Sequence, residues 1–103
     1  MSQYYHVSIE HQNDQEVLLK IGFGEESRND LIVPDAVQAM KNLHLSGGPL
    51  VKFDGPASLP VAMALAHSVA HLFGAVAMRD PKLGKFVVAI SHDPNFPIGT
   101  LLP

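Results

Sequence analysis

Residues 50–78 read LVKFDGPASLPVAMALAHSVAHLFGAVAM, and this stretch decides the fold. Leu50–Phe53 is a short strand candidate that stops at Asp54-Gly55-Pro56, a turn by composition. Ser58 is a good N-cap and Pro60 suits a first helical turn, so a helix is expected over Leu59–Leu72, ended by Gly74. Ala75–Met78 is apolar and of strand length. Strand, helix and strand in so short a span call for a parallel pair joined by a right-handed crossover.

The flanks extend this unit. Asp80-Pro81-Lys82-Leu83-Gly84 reads as a turn, which folds the β-branched run Phe86–Ile90 back antiparallel. The segment Asp93–Pro103 is proline-rich and reads as an irregular tail with no closing element, which leaves room for a continuation beyond Pro103. Upstream, Tyr4–Glu10 and Val17–Phe23 read as strands joined by the polar segment His11–Glu16. Gly24–Asp30 reads as a turn. A helix is expected over Val33–Leu43, with Pro34 in its first turn, closed by His44–Gly48. The order ββαβαββ is that of a small α/β sheet with an antiparallel end, in one domain over 1–103.

Composition narrows the chemistry. The chain has 103 residues, 47% hydrophobic and 17% charged, with a formal net charge of −3. That balance favours a packed globule and excludes a strongly basic nucleic-acid coat. No apolar run reaches the roughly 18–20 residues that span a membrane. Met1-Ser2-Gln3 does not open a signal peptide, so a cytoplasmic location is expected. Cysteine is absent, so any metal must be held by imidazole and carboxylate, and six histidines are available. The charge is uneven. Residues 1–43 hold three bases against seven acids, whereas residues 44–103 hold four bases against three acids. An anionic ligand is therefore expected on the C-terminal half.

The helix Leu59–Leu72 is almost wholly small or apolar, and its polar positions His67, Ser68 and His71 cluster. His67 and His71, four apart, can face one metal ion from one helix face, though such a pair also suits a polar surface stripe. Asp80 before proline commonly caps its own turn. Element order brings His67, His71 and His92 to one sheet edge, where they are candidate ligands for Mn²⁺, Zn²⁺ or another divalent ion. Asp80 and Lys82 fall at the opposite edge, roughly 16 Å away for a five-residue strand. Asp54, Gly55, Pro56 and Ser58 share that second edge, where a helix N-terminus suits phosphate or nucleotide. If His71 and Asp80 serve one reaction, the site must lie between two molecules.

Residues 48–93 resemble the small type III CRISPR accessory proteins of the Csx-three family. The resemblance is carried by Gly55-Pro56 ahead of the apolar helix, Ala66-His67 with a further histidine one turn on, the run Asp80-Pro81-Lys82-Leu83-Gly84, a valine-rich strand and Ser91-His92. It implies a small Rossmann-like (CARF-like) sheet that dimerises and cuts cyclic tetra-adenylate to linear di-adenylate, switching off an antiviral signal. It also implies dimers stacked head to tail around the ligand, extending to tetramers or filaments, and a Mn²⁺-dependent action on RNA 3′ adenines. His67, Asp80, Lys82 and His92 fall on the motif positions. Ala70 stands where the family carries a histidine, with His71 beside it, and Lys82 stands where arginine is more usual.

On this resemblance His71 is the expected general base or acid, Lys82 steadies charge on phosphate, and Asp80 orients His71 or ligates the metal. His67 and His92, with or without His71, would hold Mn²⁺. Asp54, Gly55, Pro56 and Ser58 would contact the ring. Two other readings stay open: a module that binds cyclic oligoadenylate or another nucleotide without cutting it, and an orphan domain that dimerises through its alanine-rich helix.

Overall fold

A computed structural model describes residues 3–103. Among these, the chain runs β1 (Tyr5–Gln12), β2 (Glu16–Phe23), α1 (Asn29–Asn42), β3 (Gly48–Asp54), α2 (Leu59–Val69), β4 (Phe73–Asp80), β5 (Lys85–Ser91) and β6 (Leu101–Leu102). The strands form one mixed sheet in the order β1-β2-β3-β4-β5-β6. β2, β3 and β4 are parallel, and the remaining pairs are antiparallel. The molecule is thus a small α/β domain, Rossmann-like in kind, with antiparallel strands at both ends of a parallel centre.

Alternation along the strands builds two cores. Val51, Phe53 and Val76 face one side, where Ile32, Ala36 and Met40 of α1 and Val61, Leu65 and Val69 of α2 cover them. The neighbouring positions Leu50, Ala75 and Ala77 face the other side with Phe86 and Val88. No helix among the described residues covers that second face. Phe96 and Leu102 of the tail pack on it instead. The tail is therefore not wholly irregular: Leu101 and Leu102 pair with Val87 and Phe86, adding β6 beyond the expected order. Three prolines hid so short a strand from the sequence pattern.

Two helix boundaries differ from expectation. α1 starts at Asn29 rather than Val33, so Pro34 lies inside it and one backbone hydrogen bond is forgone. The Asp35 carboxylate beside it accepts the N–H groups of Tyr4 (2.7 Å) and Tyr5 (3.0 Å), which ties β1 to α1. α2 ends at Val69 rather than Leu72, with Ala70 as its C-cap, and Gly74 lies within β4. Its start is as the sequence indicates: the Ser58 hydroxyl accepts from Val61 N, and Pro60 lies in the first turn. No helix among the described residues is long and apolar enough to cross a membrane.

Candidate functional site

Both helices end at the edge of the sheet where β3 and β4 begin. α1 closes with Leu43 as C-cap, and His44 follows at φ 52°, its N–H donating to Lys41 O. Glycine usually takes this left-handed position, so a histidine there costs backbone energy. The chain then turns at Gly47 (φ 102°), where any Cβ would run into the Leu72 carbonyl oxygen. That close approach clamps the loop after α1 onto the turn after α2.

Between the two helix ends lies a cleft of about 440 Å³. His67 and His71 stand on its α2 side, and Lys41 and His44 on its α1 side. Met40 and Leu72 contribute to its apolar lining. Among the described residues, no carboxylate lines it. Lys41 and His67 lie in the last turns of their helices, where the helix dipole favours positive charge. The cleft thus gathers imidazoles and one ammonium beside an apolar wall.

The histidine pair lies together, but not as two positions of one helix: His71 is in the turn beyond α2. His92 lies at the same sheet edge, its N–H donating to Gly74 O at 2.7 Å, yet it does not line the cleft. Among the described residues, no three His, Asp or Glu side chains group so as to hold a metal ion. His67, His71 and His92 are thus not grouped as a three-residue metal set among the described residues. Lys41 and His44 were not signalled by the motif. Both lie outside the stretch of clustered histidines, and only the three-residue spacing at a helix end hinted at them.

The opposite edge is built differently. β4 runs over eight residues, Phe73–Asp80, rather than Ala75–Met78, so Asp80 lies seven steps of about 3.3 Å, roughly 23 Å, from Phe73. Asp80 Oδ1 accepts from the N–H groups of Lys82 (2.8 Å) and Leu83 (3.3 Å) and shapes the hairpin turn. Lys82 is exposed at its tip.

The segment after β3 is held by structural contacts. Asp54 pairs with Lys20 at 3.6 Å. Gly55 (φ 142°) sits where a Cβ would run into the Ile21 carbonyl oxygen. The Pro56 carbonyl accepts from Tyr5 OH at 2.6 Å, and burial pushes the pKa of that phenol up to about 12. Of these four expected ligand contacts, Ser58 lines a cavity of about 470 Å³ beside Phe23, Glu25, Glu26 and Arg28. The Arg28 guanidinium is held by Asp30 at 2.9 Å. Glu25 and Glu26 place two carboxylates in the lining of that cavity.

Fold and site together define a small Rossmann-like α/β domain with an imidazole-lined cleft at the amino ends of its central strands. No protein-family model and no curated protein matches the chain.

Proposed function

We propose that this protein is a ring nuclease, a phosphodiesterase that opens cyclic tetra-adenylate to linear di-adenylate. The observation that carries the reading is the pairing of an imidazole-rich cleft at one sheet edge with the Asp80–Gly84 turn at the other, in a chain bearing the Asp-Pro-Lys-Leu-Gly and Ser-His runs. The cleft has no lining carboxylate among the described residues to repel a phosphodiester, and its apolar wall suits adenine. His71 is the general base or acid. Lys82 from a second copy steadies the phosphate, and Asp80 holds the turn that presents Lys82. The roughly 23 Å along β4 keeps His71 and Lys82 of one chain apart, so the working site is shared by two chains, as a two-fold ligand allows.

Incubation of the purified protein with cyclic tetra-adenylate, followed by chromatography, tests the reading. Linear di-adenylate is the expected product. An intact ring after long incubation at high protein concentration sinks it, and tight binding by calorimetry with no product would select a sensor instead.

A further inference from the structure

The nuclease reading leaves open which groups move protons. Attack by a 2′-hydroxyl on the adjacent phosphorus needs a base on one side, an acid on the other and a cation near the non-bridging oxygens. The attacking and departing oxygens lie in line through phosphorus, so base and acid must come from opposite sides of the phosphate. One helix face cannot supply both. The cleft can, because its two sides come from different helices and the turns that follow them: His67 and His71 on the α2 side, Lys41 and His44 on the α1 side.

Resting on the nuclease reading, we infer that His44 and Lys41, from the same chain as His71, join it in proton transfer and charge stabilisation, beside the Lys82 that a second copy presents. One imidazole takes the proton of the 2′-hydroxyl as its oxygen bonds to phosphorus. The P–O5′ bond breaks, and the opposite imidazolium gives its proton to the departing 5′ oxygen. The products are a 2′,3′-cyclic phosphate and a 5′-hydroxyl. No water, metal or redox partner enters the balance. The Lys41 ammonium faces the charge that grows on the non-bridging oxygens. The left-handed backbone at His44 fits this role: glycine would hold the turn with less strain, and the chain carries an imidazole there instead.

The same geometry supplies a clean test, since His44→Gly suits a φ of 52° and should keep or raise the melting temperature. In H44G the cleavage rate should fall about a hundredfold or more, and one limb of the pH–rate bell should disappear. Lys41→Gln should slow cleavage by a similar factor without moving the limbs. Wild-type product made in EDTA should end in a 2′,3′-cyclic phosphate, and a ring with 2′-O-methyl groups should bind and stay whole. Wild-type rates in both H44G and K41Q, or cleavage of the methylated ring, would overturn this inference while leaving the nuclease reading standing. If the wild-type protein leaves the unmodified ring intact, the nuclease reading itself fails.

Discussion

Replacing Glu16 by glutamine should destabilise the protein more than replacing Lys52 by methionine, although the two changes break the same ion pair. Lys52 lies in the central strand β3 and is only 7% exposed, on the sheet face that the tail covers. Its ammonium has Glu16 Oε2 at 3.2 Å, the Pro103 carbonyl oxygen at 3.0 Å and the Phe86 ring centroid at 4.9 Å. Glu16→Gln leaves that charge buried without its counter-ion. Breaking a fully buried pair in this way costs about 3–5 kcal/mol. Here the Glu16 side chain is 27% exposed and two other contacts remain, so about 2 kcal/mol is expected. Lys52→Met removes the charge and its desolvation penalty together and keeps the apolar stem against Phe86. Its net effect should stay within about 1 kcal/mol. Urea unfolding of wild type, both single variants and the double variant measures this, with unchanged slopes confirming that midpoint shifts report stability. In a domain of this size, about 2 kcal/mol corresponds to a melting temperature lower by roughly 8–16 °C. In the double variant, once Lys52→Met has removed the charge, the Glu16→Gln penalty should largely vanish. A K52M cost larger than that of E16Q, or two costs that simply add, would refute the reasoning.

Three further outcomes follow from the fold. Gly55→Ala forces a Cβ onto the Ile21 carbonyl oxygen in a left-handed conformation, so it should cost about 3 kcal/mol or more; an unchanged thermal midpoint would contradict this. Phe96→Ala should cost about 1–2 kcal/mol, less than a fully buried phenylalanine, and hydrogen exchange should quicken at Leu101 and Leu102 while β3 stays protected. Burial pushes the Asp35 carboxyl up, but the N–H groups of Tyr4, Tyr5 and Gln3 outweigh it and hold the carboxyl below its ordinary 3.8. The stability it contributes is complete above that value and is lost as pH falls through the lowered folded value. Asp35→Asn should therefore flatten the acid limb of urea midpoints taken from about pH 5 to about pH 2, and an unaltered limb would contradict the assignment.

The parallel pair β3–β4 was legible because Leu50–Met78 carries unambiguous punctuation: Asp54-Gly55-Pro56, then Ser58 and Pro60. The start of α1 was not, because Pro34 resembles a first-turn proline and its position inside the helix is supported by a tertiary contact, Asp35 on the β1 backbone. β6 was hidden for a similar reason. Its two residues have no periodicity to show, and they are held by Phe86 and Val87 across the sheet. At the site, His67 and His71 announced themselves by spacing, whereas Lys41 and His44 come from a helix that meets α2 only after folding. Asp54, Gly55 and Pro56 look like ligand contacts in a one-dimensional motif. In three dimensions each also has a structural role: Asp54 pairs with Lys20, Gly55 backs closely onto the Ile21 carbonyl, and the Pro56 carbonyl accepts from Tyr5 OH.

The proposed division of the site between two copies is tested most directly by mixing variants. His71→Gln removes one of the cleft's two proton-transfer groups, and Lys82→Gln removes the cation presented by the other copy's turn. Each purified alone should leave cyclic tetra-adenylate almost whole. Mixed in equal amounts, they should regain cleavage that neither shows, because some interfaces then join an intact cleft to an intact turn. A mixture as inactive as its parts, beside a wild-type protein that cuts the ring, would contradict the shared site.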